Sequence, residues 1–474
     1  MSRGTWAAVA GLTALAFAIR LAQLDQSLFG DELFLYRIVA HSGLGRVFRL
    51  VHDTESTPPL HFVLAWATAK VGDPTVWIRI PSLVAGTAMV PATFALGLRT
   101  VGDRAALLGA AVVAIAPFSI FYGVEGRAYA TLGLLAVLST LALVRALDRP
   151  SRSRWALFAL LTLAVVYTHY VGVFVVVAQG AWAAWLHRDR LRELGLAYLA
   201  VVIGYAPWIP SFLVQRQDSA AVRIAHAYPL TAESVGRGLL KVMPGDPLFP
   251  LAGVPGRAAT AIFLVAGGAA VAVALSRGRA RAQSNAVELL AVLALATPVG
   301  SIAYSLGSES IFLPRNLIPS LPAAALLLGT ATSRAGRSLG VALAAGLLGV
   351  LIVGAVKTFD PDYGRPPYRD AAAYIESHAR PGDAVLEISI DVVTPLSPLR
   401  PVLPRRFEFA RFGHRGTAAT FARARARGHI FVVVPRVGAL TGPLRLAGLR
   451  GLRVAESWRR GTLSVLVYRR TAGP

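Results

Sequence analysis

The chain contains no cysteine, which excludes disulfides, thiolate metal sites and thiol nucleophiles. Any part of it outside the cytoplasm must therefore fold on its apolar core alone. Lysine is scarce too, occurring only at 70, 241 and 357. That bias, with the alanine and glycine content, suggests a GC-rich bacterial genome. Charged residues make up 15 % of the 474, against 55 % hydrophobic. No internal repeat or low-complexity linker occurs, and no tight ligand cluster such as His-x-x-x-His. So little polar sequence excludes a single soluble globule. A net charge of +23 would suit nucleic acid, but many of the arginines sit in short loops between apolar runs, where they set membrane topology.

Those runs are about 20 residues long, enough to cross a hydrocarbon core of about 30 Å. They cover 5–24, 77–99, 104–122, 126–147, 154–168, 170–187, 192–213, 257–276, 287–306, 314–332 and 337–357. The expectation is a polytopic α-helical membrane protein of about 11–13 spans. Its first run reads as an uncleaved span, because no small-x-small site follows it and Arg20 interrupts a signal-peptide pattern. With a cytoplasmic N-terminus, five basic loops fall on one side: Arg99/Arg104, Arg145–Arg154, Arg188–Arg192, Arg277–Arg281 and Arg334/Arg337. Residues 58–71 are too short to span and follow Pro58-Pro59, so they read as a re-entrant or surface helix on the outer face, with a distorted short span as the alternative. The chain divides into a membrane domain, 1–357, with a first outer loop at 25–76, and an extracytoplasmic tail, 358–474.

In the tail, Tyr368 to His378 fits an amphipathic helix and Arg380-Pro381-Gly382-Asp383 a turn. Ala384 to Ile388, His429 to Val434 and Leu463 to Tyr468 read as strands, and Thr417 to Arg427 as a second helix. The pattern is a small α/β domain with a partly parallel sheet. Its arginines at 400, 405, 406, 411, 415, 423, 425 and 427 form either a solvated face or a surface for anionic glycans or lipid headgroups.

The polar residues able to carry chemistry gather in the outward segments. Phe29-Gly30-Asp31-Glu32 places a carboxylate pair directly after the first span, either the acidic first turn of a helix or a functional pair. Glu55 and His61 flank Pro58-Pro59. Arg79, in Arg-Ile-Pro-Ser, could snorkel to the interface or bind substrate. The stretch from Phe121 to Tyr129 holds Glu125, Arg127 and Tyr129, a structural ion pair or a phosphate or sugar contact. His169 and Tyr170 interrupt two apolar runs, and Arg315 sits between Pro314 and Pro319.

In that order, Asp-Glu, Pro-Pro-Leu, Arg-x-Pro-Ser, Glu-x-Arg-x-Tyr and a proline-flanked Arg resemble the GT-C glycosyltransferases. They resemble family 39 above all, with its protein O-mannosyltransferases and lipid A aminoarabinose transferases, and the likeness covers nearly the whole chain. It implies a hexosyl- or pentosyltransferase that uses a polyprenyl-phosphate sugar donor and inverts at the outer membrane surface. Asp31 would be the general base, with Glu32 in support. Arg127 and Arg315 would hold the donor phosphate, with Arg79, Glu125, Tyr129, His169 and Tyr170 lining the substrates. The acceptor would be a glycan, glycolipid or protein of the envelope, the place the bacterial cytoplasmic membrane, and nucleic acid no partner. A divalent cation is the one cofactor implied, with Glu32, Glu55 and His61 as candidate ligands. Ser56-Thr57 stands where the aminoarabinose transferases carry an acidic-basic pair, for which Glu55 is the available substitute, so the resemblance by itself does not assign their donor and acceptor to this chain. The alternatives are a polytopic lipid or polysaccharide transporter, which would line mid-membrane spans with polar groups, and a non-catalytic assembly protein.

Overall fold

The computed structural model describes residues 2–217, 225–276, 284–380, 383–388, 396–411, 429–435 and 452–470. The expected helix at 417–427, the turn residues Pro381 and Gly382, the loop arginines 277–281 and the tail arginines 415–427 lie outside the described residues. Two compact units divide the chain: Met1–Leu24 with Ile38–Lys357, and Asp25–Arg37 with Thr358–Pro474.

Every apolar run is helical in the first unit. In chain order the helices are α1 (Arg3–Leu21), α2 (Glu32–Val39, begun in the second unit), α3 (Leu44–Thr54), α4 (Leu60–Ala69), α5 (Pro74–Trp77), α6 (Ile80–Thr100), α7 (Asp103–Ile115), α8 (Pro117–Tyr122) and α9 (Tyr129–Asp148). They continue as α10 (Arg152–Thr168), α11 (Gly172–Leu186), α12 (Leu191–Tyr205), α13 (Ile209–Gln215), α14 (Ala232–Lys241), α15 (Arg257–Ser276), α16 (Ser284–Gly307), α17 (Leu321–Arg334) and α18 (Arg337–Lys357). Seven helical stretches among the described residues are long and apolar enough to cross a membrane. Helix α4 has 10 residues, about 15 Å of rise, half the hydrocarbon thickness.

Local chemistry sets the boundaries. Ser2 and Ser151 cap α1 and α10 by accepting from the Thr5 and Arg154 amides. His169 adopts an extended conformation that ends α10 and separates it from α11. The run 104–122 is broken where Ala116 turns extended before Pro117. Glycines let the central helices close: a Cβ on Gly329 would meet the Ala105 carbonyl oxygen at 2.4 Å, and one on Gly109 would meet Leu326 at 2.7 Å.

The second unit is a five-stranded sheet in the order β2-β1-β3-β5-β4, from β1 (Ala384–Glu387), β2 (Glu408–Arg411), β3 (His429–Pro435), β4 (Leu452–Arg460) and β5 (Leu463–Arg470). Strand β1 pairs in parallel with β2 and β3, while β5 runs antiparallel to β3 and β4. Helix α19 (Tyr368–His378) packs Tyr368, Ala371, Ala372 and Ile375 against Val385, Phe431, Val465 and Val467. Phe29 joins the same core, so the segment after the first helix is built into the α/β unit.

Candidate active site

In the helical unit the site grows around Arg127. After α8, a turn from Gly123 to Ala128 carries the chain into α9. The Phe121 carbonyl accepts from the Val124 and Glu125 amides, and the Glu125 carbonyl from the Arg127 amide at 2.7 Å. From α6, the Ser82 hydroxyl donates to the Arg127 carbonyl at 3.1 Å. The backbone of this turn is held from both ends.

The Arg127 guanidinium donates to Glu55 Oε2 at 3.2 Å, in a pair whose side chains are 11 % and 6 % exposed. It also lies over the Phe62 ring, 5.6 Å from its centre. Its charge bears on His61, which is buried and hydrogen-bonded through Nδ1 to the Thr131 hydroxyl at 3.1 Å. Tyr129, at the start of α9, faces the His169 ring at 5.7 Å. Burial, with the charges of Arg127 and Arg315, drives His169 down to about 3. Its Nδ1 accepts the Val171 amide at 3.2 Å, so the neutral ring carries its hydrogen on Nε2. Arg315 stands in the proline-bracketed turn Pro314–Ser320. The unit thus brings Glu55, His61, Arg127, Tyr129, His169 and Arg315 into one electrostatic neighbourhood, with Glu125 buried beside them in sequence.

Two sequence candidates hold other partners. Tyr170 donates to Gln215 Oε1 and accepts from Trp208 Nε1 at 3.3 Å, in a network whose Gln215 amide reaches the Val51 carbonyl at 2.6 Å. Arg79 is fully buried and donates to the Leu24 carbonyl at 2.7 Å, fastening the end of α1.

In the second unit, Asp31 follows Gly30, whose φ of 58° is a left-handed conformation suited to glycine. Glu32 is fully buried and paired with Arg365, which is nearly so. The Phe29 amide donates to the same Glu32 oxygen at 3.4 Å. Arg369 adds an ion pair to Asp25 at 2.7 Å, and its amide donates to the Ser27 hydroxyl at 3.0 Å. Glu32 is thus an anchor for the Asp31 loop. No local motif marks Arg365, because its partner is 333 residues away in sequence.

The donor set does not fit the cation proposed from sequence. Glu32 is held by Arg365, Glu55 by Arg127, and His61 lies in the field of a guanidinium. Among the described residues no three His, Asp or Glu converge as a metal site.

Comparison with known proteins follows the same lines. Residues 56–213 match the family model described as dolichyl-phosphate-mannose-protein mannosyltransferase. A search of curated protein sequences gives no match. Among solved structures, ArnT from Cupriavidus metallidurans bound to undecaprenyl phosphate aligns over 100 % of both chains, with a TM-score of 0.57 at 14 % identity. The archaeal oligosaccharyltransferase AglB from Archaeoglobus fulgidus, in complex with an inhibitory peptide and a dolichol-phosphate, aligns with 91 % of this chain and 69 % of its own (TM-score 0.52, 10 % identity). The arabinofuranosyltransferase AftD from Mycobacteria aligns with 100 % of this chain and 40 % of its own (TM-score 0.52, 15 % identity). The fold of this chain, a polytopic helical unit with a small C-terminal sheet domain, is the GT-C fold, and the chain resembles ArnT and the protein mannosyltransferases.

Proposed function

We propose that this chain is an inverting glycosyltransferase that moves a sugar from a polyprenyl-phosphate donor to a cell-envelope acceptor at the outer face of the cytoplasmic membrane. The observation that carries the reading is the coupling of Arg127 and Arg315 to one buried, neutral His169. Two guanidiniums whose charges both bear on one buried imidazole suit a lipid phosphate, and favour it most as it leaves with added charge. The likeness to ArnT, solved with undecaprenyl phosphate, supports the choice of donor.

In the proposed reaction the acceptor hydroxyl oxygen attacks the anomeric carbon from the face opposite the phosphate. Asp31 takes the hydroxyl proton as that bond forms. The bond between the anomeric carbon and the phosphate oxygen breaks, and its electron pair leaves on the phosphate toward Arg127 and Arg315. Neutral His169 offers an Nε2–H donor without a competing proton. The anchors at Glu32 and Asp25 restrict the Asp31 loop, as a general base requires. No step runs through a metal ion, because the candidate ligands are engaged elsewhere.

The test is transfer from a panel of radiolabelled polyprenyl-phosphate sugars to an envelope extract. Wild type should incorporate label from at least one donor. Asp31→Asn should lose about 10²–10⁴-fold with an unchanged unfolding temperature. An Asp31→Asn protein of full activity removes Asp31 as the base, and a well-folded wild type inert with every donor removes the class.

A further inference from the structure

Arg20 is fully buried in the membrane unit, and the proposed chemistry makes no use of it. No carboxylate pairs with it among the described residues. Its guanidinium is surrounded by carbonyls instead. Nη1 donates to the Ala16 and Ala114 carbonyls, each at 3.0 Å, and Nη2 to the Val113 carbonyl at 3.2 Å, the Ser119 carbonyl at 3.3 Å and the Ser119 hydroxyl at 2.9 Å.

Those carbonyls are open for a reason written in the sequence. In an unbroken helix the Val113 oxygen would accept from residue 117, which is proline and has no N–H. Ala116 is extended, so the last turn of α7 is left with unsatisfied acceptors and the negative end of the helix dipole. Arg20 caps α7 from a different helix. A residue of similar volume such as methionine would fill the space and leave these oxygens without donors.

The same contact reaches forward to the site. The Ser119 carbonyl that takes Arg20 also takes the Gly123 amide at 3.0 Å, and from Gly123 the turn runs through Glu125 to Arg127. A Cβ on Gly123 would lie 2.3 Å from Arg20 Nε and 2.8 Å from the Ser119 oxygen. A Cβ on Gly86 would lie 2.8 Å from Gly123 Cα and 3.1 Å from Arg20 Nε. Both glycines let α6 and the turn close directly over the guanidinium.

We propose that Arg20 is a positioning residue. It fixes the α7–α8 break and the first residue of the following turn, so that Arg127 is preset for its anion. The inference rests on the reading that Arg127 holds the donor phosphate, and its test is built so that the two can fail separately.

Full-length Arg20→Met, Arg20→Lys, Gly123→Ala and Arg127→Ala, and the double variant Arg20→Met/Arg127→Ala, are compared in lipid nanodiscs by amide hydrogen exchange and by kcat and KM for a polyprenyl-phosphate sugar. Arg20→Met should speed exchange in 119–128 and leave the other helices unchanged. It should lower kcat about 10- to 100-fold, with Arg20→Lys between it and wild type. The double variant should match Arg127→Ala alone within about twofold, because the two act through one group. Gly123→Ala, which disturbs the same contact without removing the charge, should reproduce the local exchange change if Arg20→Met fails to fold.

Losses that multiply in the double variant, faster exchange across all helices, or wild-type turnover by Arg20→Met would each overturn the proposal. If wild type transfers nothing, the proposed function falls and the exchange experiment still decides whether Arg20 sets the turn.

Discussion

Glu32 and Arg365 form an almost completely buried ion pair. Both charges have left water, so the pair contributes less than its closeness suggests, but breaking it strands a charge. Arg365→Met should therefore destabilise the α/β unit by about 3–5 kcal/mol, read as a lower urea midpoint. Adding Glu32→Leu should recover most of that loss, since no charge then stays buried. If the double variant is as unstable as the single one, the stranded charge is not the cause. Asp31 is adjacent to this anchor, so Arg365→Met should also lower transfer in whatever protein remains folded. At this scale the legible residues were those in local motifs, such as the Glu125–Tyr129 stretch and the proline-flanked Arg315. Arg20 marks the sequence only as an irregularity in an apolar run, because most of the carbonyls it serves lie almost a hundred positions on. The pairing of Glu55 with Arg127 was equally hidden, because the two residues lie 72 positions apart.

At the scale of elements, length and hydropathy located the helices well, since a span must satisfy its backbone internally and so announces itself as an unbroken run. Contacts between spans left fainter marks. Gly329 on α17 faces the backbone of α7, with the Ala105 oxygen where its Cβ would be. Gly329→Val should force these helices apart and cost about 1–3 kcal/mol or more, seen as a lower thermal midpoint in detergent. An unchanged midpoint would mean that this approach is not tight. In the tail, the strands found from sequence were the buried ones, β1, β3 and β5. Strand β2 has four residues, and β4 is almost wholly solvent-facing and rich in arginine, so neither shows the apolar pattern that marks a strand. The break between α7 and α8 was equally hidden, because Pro117 sits inside a run that stays apolar on both sides.

For the molecule as a whole, one titrating group stands out in the α/β unit. Glu387 ends β1 and is fully buried beside Arg411 of β2 in the sheet register. Burial pushes its carboxyl up to about 7, against the opposing pull of Ser397, Arg411 and the Leu399 backbone. Because the folded state holds this proton above the pH at which the unfolded chain releases it, the contribution to stability falls as pH rises from about 4.5 to about 7 and is level beyond. Glu387→Gln should thus match wild type near pH 4.5 and exceed it at pH 8, by on the order of 3 kcal/mol at most. The chain lacks cysteine, so a single Val432→Cys, buried in β3, can report unfolding by pulsed thiol labelling at one fixed pH after equilibration. Equal urea midpoints for the two proteins at pH 8 would show that Glu387 is ionised at little cost.

The membership of Asp25–Arg37 in the α/β unit also has a bearing on time. A ribosome delivers this segment soon after the first helix and delivers the strands that enclose it only after the whole helical unit. Through the whole of membrane insertion Phe29 has no core to enter and Glu32 no cation to meet. A product cut short before Arg365 would leave the Asp31 loop without the ion pairs and the core that shape it.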